Sequence, residues 1–547
     1  MRVMFVAIAY EQLGISMLSA LAKQRGHDVR LAFSVALFND RKHTSWNPLP
    51  RFFDDTRDVL NDIERFHPDV LAFSPLSGSY RWCLHIAQNA KALLPKVKIL
   101  FGGVHTTAVP DRVIARPEVD YICQGEGDVA FLEILSAIEQ GDFSSPLPNT
   151  RYKTPEGRII QGPQTGFIQN LDALPFFDKS LWEDYFNMSD YYITMASRGC
   201  PLRCTFCFNS FFANLPGQGK GKYVRYRSPA HMLAELRWAK KRYQTKMIGF
   251  FDDVFTLDKT WLKIFLEGYK KDIHTPFQIF THVNHMDEET VRWLAEAGCD
   301  AAEIGMETLD EEYKNKYLKR HESKETTAEV IRLTRKHHIR SRMDHMLGLP
   351  GEPLEAQETA RQFYIENPPA RINSYWVNYF PGTELQKTAI RFGVITEADA
   401  ESLNEGFSFD LDSYNRSHKL FTREQLRHCR TYQVIFKLIP FFPKKILSRL
   451  NPGLFKSLPA FMSEGLASMT DIFGGIATGE AEFLIYTKHL VFHIYRTLLG
   501  KLGFPKPRRM RHLAPDTQAV CVHTADGSGH KNSCDCQRFF REGQTTG

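Results

Sequence analysis

No window of the 547-residue chain reaches the roughly 18 uninterrupted apolar residues that a membrane span needs. The most apolar late stretch, Val434 to Leu447, is broken by Lys437, Pro440, Pro443, Lys444 and Lys445, so no spanning helix is expected. A targeting segment is not expected either: MRVMFVAIAYEQLG reaches Glu11 early, no small-residue cleavage site follows, and the stretch reads as a first strand. An excess of one charge is lacking as well. The 69 basic and 63 acidic residues leave +6, too even a balance for a dedicated nucleic-acid-binding protein. Ten cysteines are too few for a disulfide scaffold. Three of them fall within eight positions, which points to a metal site in a reducing compartment and to a cytoplasmic protein. What is present is a globular composition, 43% hydrophobic and 24% charged, over a length that suits three or four domains.

The first 140 residues alternate strand and helix. Apolar runs at Arg2 to Ala9, Val70 to Phe73 and Ile99 to Phe101, alternation at Val29, Leu31 and Phe33, and Tyr121-Ile122 read as strands. Helical spacing marks Ile15 to Arg25, Tyr80 to Leu94 and Val129 to Ile138. This order predicts an α/β domain over 1–140, a doubly wound, Rossmann- or flavodoxin-like sheet. Its ligands would sit at the carboxyl ends of the strands, at Tyr10–Gly14, Ser74–Ser79, Gly102–Thr107 and Gly125–Asp128. Residues 141–190, richer in Pro, Gly, Ser and Asp, predict a linker. A second series over 191–390 places strands at Tyr192–Ala196, Met247–Phe251, Phe277–Thr281, Ala301–Gly305, Arg342–Leu347 and Tyr375–Phe380, with helices between them. It predicts a partial (β/α)6, TIM-like barrel with its chemistry at the carboxyl ends of the strands. Residues 391–510 read as a helical region and 511–547, rich in Gly, Ser, His and Thr, as a disordered tail.

Directly after the first barrel strand comes Ser197-Arg-Gly-Cys200-Pro-Leu-Arg-Cys204-Thr-Phe-Cys207-Phe-Asn209. Three soft thiolates on one tight loop suit iron–sulfur ligation. A closed structural zinc site wants a fourth ligand, and His231 is the first histidine after Cys207. A zinc site completed from afar, or three unrelated core cysteines, are the alternatives. On a four-iron cluster, three ligands leave one iron open to bind something else, which is a catalytic arrangement.

Over about residues 190–385 the sequence resembles the radical S-adenosylmethionine enzymes. Cys200, Cys204 and Cys207 match the motif that holds the family's 4Fe-4S cluster, with Phe206 as the aromatic before the third cysteine. Phe250-Phe-Asp252-Asp253, Glu303-Ile-Gly305-Met-Glu307, Met346-Leu-Gly348-Leu-Pro350-Gly351-Glu352 and Tyr379-Phe-Pro381-Gly382-Thr383-Glu384 fall after the second, fourth, fifth and sixth predicted strands. The resemblance implies that Phe206, Asp252, Asp253, Glu303, Gly305, Glu307, Gly348 and Pro381 approach S-adenosylmethionine.

The N-terminal sheet resembles the cobalamin-binding domain of the family's largest subclass. The resemblance rests on Gly102-Gly103-Val-His105-Thr-Thr107, on Val119 through Gly125-Glu126-Gly127-Asp128, and on Leu171-Asp-Ala-Leu-Pro175. It implies a cobalamin site formed by Ser74, Gly102, Gly103, His105, Thr107, Gly125 and Glu126. The paired glycines would let the backbone lie flat against a large ligand, with His105 and Thr107 offering hydrogen bonds to its nucleotide tail. The D-x-H-x-x-G signature that gives cobalt a histidine elsewhere is absent, since the first loop reads Tyr10-Glu-Gln-Leu-Gly14. A cobalamin here would lack that ligand; a domain that has lost its cofactor is the alternative.

The activity implied is that of a cobalamin-dependent radical methyltransferase. One electron from the cluster would cleave S-adenosylmethionine, the 5'-deoxyadenosyl radical would take hydrogen from an unactivated carbon, and methylcobalamin, recharged by a second S-adenosylmethionine, would supply the methyl group. Ring closure or rearrangement by the same domains is the alternative among enzymes, and an iron–sulfur electron carrier or sensor the alternative outside them. The partners expected are a small-molecule or lipid substrate and a one-electron donor such as flavodoxin or ferredoxin.

Weaker signals remain. His282 and His285 near the third strand's end face either substrate or solvent. Cys521, Cys534 and Cys536 with His523 and His530 read as a flexible tail with reduced thiols rather than a metal site. Between Ile435 and Arg509 eleven basic residues stand against four acidic ones, interleaved with Ile435, Phe436, Phe442, Ile446 and Leu454. A helical cap packed on the barrel mouth is the favoured reading of that region. Contact with an anionic membrane surface at the cytoplasmic face is the alternative.

Overall fold

The computed structural model describes residues 1–38, 48–143, 145–215, 221–407, 422–456, 458–477 and 480–507. Cys521, Cys534, Cys536, His523, His530 and the whole of 511–547, together with Arg508 and Arg509, lie outside the described residues.

The first sheet is built from β1 (Arg2–Ile8), β2 (Asp28–Ser34), β3 (Val70–Phe73), β4 (Lys98–Phe101), β5 (Tyr121–Cys123), β6 (Thr150–Lys153) and β7 (Ile159–Gln161). Their order is β2-β1-β3-β4-β5-β6-β7, and the first five are parallel. The central strands read as unbroken apolar runs because both of their faces are covered. Val3, Phe5 and Ala7 of β1 enter one core, while Met4 and Val6 enter the other. The 2-1-3-4-5 order is the flavodoxin-like arrangement, with its ligand crevice at the carboxyl ends of β1 and β3.

Residues 150–161, read from sequence as part of a linker, instead add β6 and β7 antiparallel to β5. The turn Thr154–Arg158 joins them, closed by Thr154 N–H donating to the Arg158 carbonyl at 2.8 Å. The two strands are short, and β7 is largely exposed, so they carry none of the apolar alternation that marks a strand.

The second sheet has six parallel strands in sequence order. These are β8 (Tyr192–Thr194), β11 (Ile248–Phe250), β12 (Phe277–Thr281), β13 (Cys299–Glu307), β14 (Arg340–Leu347) and β15 (Arg371–Trp376). A two-residue antiparallel ribbon of β9 (Ser197–Arg198) and β10 (Arg225–Tyr226) lies beside the first of them. The intervening helices start where the sequence supplies a cap: Ser228, Asp258, Asp287 and Ser323 each accept a backbone N–H of the first turn.

Two strand placements differ from expectation. The sixth strand begins at Arg371, not Tyr375, because its residues Arg371, Asn373 and Ser374 hide it from an apolar count. The Tyr379–Glu384 segment therefore follows it at a distance. Glu303, Gly305 and Glu307 lie on β13 itself and not in a loop beyond it.

After the barrel, the helix Arg423–Leu438 packs Cys429, Tyr432, Ile435 and Phe436 into the main core. It lies against the barrel's flank, where Phe436 meets His345 at 4.7 Å and Tyr364 at 5.6 Å between ring centres. The helices Ala460–Ala477 and Ala481–Lys501 are different. Met462, Met469, Phe473 and Ile476 on the first, and Leu484, Val491, Tyr495 and Leu498 on the second, are exposed, Phe473 by 62% and Val491 by 61%. Each set recurs at helical spacing, so each helix presents an uncovered apolar stripe. No helix among the described residues is long and apolar enough to cross a membrane.

Candidate active site

The cysteine loop leaves β9 through Gly199, whose φ is +88° and where a Cβ would lie 2.4 Å from the Tyr223 carbonyl oxygen; only glycine fits. Asp252, at the end of β11, is fully buried and accepts from the Ala196 N–H at 3.0 Å and the Ser197 N–H at 2.5 Å. Expected at the S-adenosylmethionine, it instead holds the start of the cysteine loop. Burial pushes its pKa up to about 6 in spite of these donors. Its neighbour Asp253 remains at the cavity described below, where Asn209 Nδ2 donates to it at 2.8 Å. Tyr223 O–H donates in turn to Asn209.

Further along, Thr205 is pinned by the Leu318 and Tyr317 carbonyls at 3.2 and 2.7 Å. Phe206 packs beside Leu318, Tyr379 and Leu385. Cys200 and Cys204 are buried and Cys207 half-buried. Burial pushes the Cys200 thiol up to about 11 and Cys204 up to about 12, so a metal would have to displace their protons. Among the described residues no three His, Cys, Asp or Glu side chains close on a single ion. On a four-iron cluster each thiolate takes a different iron, so the three thiols need not converge on one ion.

The strand ends on the other side of the barrel are also partly committed. Arg320 donates to Glu307 Oε1 at 3.1 Å, to the Gly305 carbonyl at 2.6 Å and to Glu322 at 2.7 Å. Gly348 directly follows β14 with φ +78°. Pro381 is buried, and its neighbour Gly382, with φ +79°, approaches Ala108 of the first sheet's side.

The first sheet contributes the opposite wall. Gly103 has φ +79°, and a Cβ there would lie 2.6 Å from Ser74 Oγ. Thr107, expected at a nucleotide tail, is used within the protein: its hydroxyl donates to the Gly103 carbonyl at 2.8 Å and accepts the Gly125 N–H at 3.0 Å, tying the two glycine loops together. His105 is buried against Tyr80 with Nδ1 3.0 Å from Ser77 Oγ. Its Nε2 has no partner among the described residues, and burial pushes its pKa down to about 4. The side chain of Glu126 reaches across to the barrel, accepting from Arg225 at 2.8 and 3.0 Å and from the Ile168 N–H at 3.0 Å. Asp128 takes both terminal nitrogens of Arg198 at 2.8 and 2.9 Å.

Between these walls lies a cavity of about 330 Å³. Ser74, Gly102, Gly103, Gly125 and Glu126 face it from the first sheet, and Arg198, Asn209, Tyr223 and Asp253 from the second. The backbone of Gly102, Gly103 and Gly125, which faces the cavity without side chains, fits close approach of a large, flat ligand such as cobalamin. The three thiols fit the cluster. Arg198, Asp128 and Arg225 carry no signal in the sequence that marks them as site residues, since the isolated charges of two-residue strands and a helix start show no periodicity.

The chain matches the B12 binding domain family over residues 6–135 and the Radical SAM superfamily over residues 195–363. An uncharacterized methyltransferase of Pyrococcus horikoshii is 25% identical over 338 residues, 61% of this chain and 72% of its own. The cytidylyl-2-hydroxyethylphosphonate methyltransferase of Streptomyces wedmorensis is 21% identical over 430 residues, 70% of this chain and 78% of its own. The solved structure of the cobalamin-dependent S-adenosylmethionine radical enzyme OxsB, with aqua-cobalamin and S-adenosylmethionine bound, aligns at a TM-score of 0.59 and 15% identity. It covers 93% of this chain and 82% of its own, a likeness of fold.

Proposed function

The chain belongs to the radical S-adenosylmethionine enzymes that carry a cobalamin-binding domain, and from that premise we propose that it methylates an unactivated carbon of a small molecule. The observation that carries the proposal is the shared cavity, bounded on one side by the Gly102-Gly103 and Gly125-Glu126 loops and on the other by the cysteine loop's neighbours. When bound, the cluster, S-adenosylmethionine and cobalamin supply one-electron cleavage and a transferable methyl group. The chain's own part is to hold the two walls at a fixed separation and keep water out. Asp252 sets the start of the cysteine loop, the Glu126–Arg225 and Asp128–Arg198 pairs dock the walls, and Phe208, Phe212 and Phe167 give the cavity an apolar lining.

Two partners belong to this reading. A one-electron donor such as flavodoxin or ferredoxin delivers the electron that the reaction consumes. An anionic membrane surface receives the apolar stripes of the two last helices, supported by Lys445, Arg449, Lys456 and Lys488, which form no ion pair among the described residues. The decisive experiment is anaerobic incubation of reconstituted protein with reductant, methyl-deuterated S-adenosylmethionine and candidate metabolites, followed by mass spectrometry. A product carrying the labelled methyl group is expected. A ring-closed product without label would replace the reading with a cyclase, and cleavage of S-adenosylmethionine with no changed metabolite across a broad panel would remove it.

A further inference from the structure

The cysteine loop has two sides. Gly199, Phe208, Asn209 and Tyr223, at its two ends and beside it, turn one side to the cavity. On the other, Thr205, which directly follows Cys204, is gripped by two elements. Its N–H donates to the Leu318 carbonyl at 3.2 Å and its hydroxyl to the Tyr317 carbonyl at 2.7 Å, while its own carbonyl accepts the Leu385 N–H at 2.9 Å. The wide helical turn Lys314–Leu318 and the helix Glu384–Arg391 therefore flank the loop, and none of their residues is among those lining the cavity.

The surface these segments present is cationic. On the helix, Leu385, Gln386, Thr388 and Ala389 are buried, whereas Glu384, Lys387 and Arg391, at i, i+3 and i+7, are exposed along one stripe. Lys316 and Lys319 are exposed on the turn and just after it, and Arg203 is exposed immediately before Cys204. Lys319 Nζ lies 2.5 Å from Glu384, which joins turn and helix into one face. Glu384 is the only carboxylate in residues 199–207, 314–319 and 384–391. Arg203, Lys316, Lys387 and Arg391 form no ion pair among the described residues. Between the two elements sits Phe392, 41% exposed, with its ring 5.3 Å from that of Tyr317, which in turn has Lys316 Nζ 5.2 Å from its centre. An aromatic anchor rimmed by long cations has the anatomy of a small docking face for a protein. One exposed ring is too little apolar surface to hold a membrane.

We propose that this face docks the electron donor, a small acidic protein carrying a one-electron flavin or iron–sulfur group, and sets that group over Thr205. Arg203, Lys316, Lys387 and Arg391 meet carboxylates of the donor, and Phe392 meets its apolar centre. The donor loses one electron and the cluster gains it, with no bond made or broken. Redox encounters of this kind use small interfaces, and opposite charge speeds and orients them more than it tightens them. The assignment rests on the reading of the chain as a radical enzyme whose cluster is reduced from outside.

The test uses purified flavodoxin as the probe, under anaerobic conditions, with the reconstituted protein loaded with S-adenosylmethionine. Binding of oxidised flavodoxin is followed by NMR titration, and oxidation of its hydroquinone by the cluster is followed by stopped-flow absorbance. Both should weaken with added salt. Lys316→Glu, Lys387→Glu and Arg391→Glu together should weaken binding and lower the second-order rate constant at low salt by at least roughly tenfold. Reduced methyl viologen, a small cation that needs no docking face, should reduce the cluster of this variant as fast as that of the unaltered protein. Lys445, Arg449 and Lys456 changed to Glu, the same change of charge on the helices after the barrel, should leave the flavodoxin rate as it is. An unchanged flavodoxin rate in the first variant overturns the proposal, and so does an equal loss in the second. Binding and rate indifferent to salt overturn it as well, and that arm needs no variant to fold. An equal loss with methyl viologen also overturns it, because the three residues would then act on the cluster itself. If neither donor reduces the cluster of the unaltered protein, the reading of the chain as a radical enzyme falls and the docking face with it.

Discussion

Glu126 Oε1 accepts a hydrogen bond from Arg225 Nη2 at 2.8 Å, joining a loop of the first sheet to a strand beside the cysteine loop. Both side chains are largely buried, with Arg225 nearly inaccessible. Removing one member of such a pair leaves the other uncompensated, which costs about 3–5 kcal/mol. Glu126→Gln should therefore lower stability to chemical denaturation by an amount of that order. An unchanged midpoint would show that the loop docks by packing alone.

Gly103→Ala tests the cobalamin cradle. Its φ of +79° and the 2.6 Å approach of a Cβ to Ser74 Oγ both oppose a side chain. Purified protein given hydroxocobalamin should retain about one equivalent, as the single doubly wound domain implies. The variant should retain far less while its far-ultraviolet circular dichroism is preserved. Full retention by the variant would move the ligand away from this loop.

Cys204→Ala should remove most of the iron and abolish reductive cleavage of S-adenosylmethionine, with iron content and the visible spectrum as readouts. Cys299 and Cys429 are buried elsewhere in the core. Their replacement by Ala should leave the cluster spectrum in place. A four-iron spectrum in the Cys204 variant would sink the ligand assignment.

Asp344 gives a pH signature. Burial, reinforced by the charges of Glu303 and Glu307, pushes its pKa up to about 9, far above the ordinary carboxylate range. The folded chain thus keeps a proton that the unfolded chain releases. The contribution is fully present at low pH and falls as pH rises through this window, by at most roughly 1.4 kcal/mol per unit. Asp344→Asn should flatten the decline in stability between pH 5 and pH 9. Parallel curves for the two proteins would contradict the raised pKa of Asp344.

Sedimentation with anionic vesicles tests the last two helices. Binding should weaken with added salt and with Lys445, Arg449 and Lys488 changed to Glu. No binding even at low salt would leave those helices as a cap on the barrel's flank.

Much of this architecture is legible in the sequence where a segment buries two faces or one regular stripe. The unbroken runs of β1, β3 and β4 and the capped barrel helices stand out because burial and capping select the residue types themselves. The cysteine loop is legible for a chemical reason, since three thiols at that spacing suit few other purposes. An apolar count places strand β15 too late, because Arg371 and Asn373 face ion pairs and the barrel interior, where apolar periodicity does not hold. Asp252, Thr107 and Glu126 stand out in the sequence, but the work each does is not legible there. A carboxylate that braces a loop and one that meets a ligand have the same letter, and only partners brought from 55 to 99 residues away in sequence tell them apart.

The hairpin β6–β7 also bears on how the protein keeps apart from its own copies. Without it, β5 would end the first sheet as an open parallel edge, a template for strand addition by another molecule. The hairpin replaces that edge with a three-residue strand, preceded by Pro155, Glu156 and Arg158 and followed directly by Gly162 and Pro163. So short an edge, bracketed by prolines and charges, offers an incoming strand few backbone groups to pair with. Deleting the hairpin is therefore a route to aggregation even where the cofactor cavity is left intact.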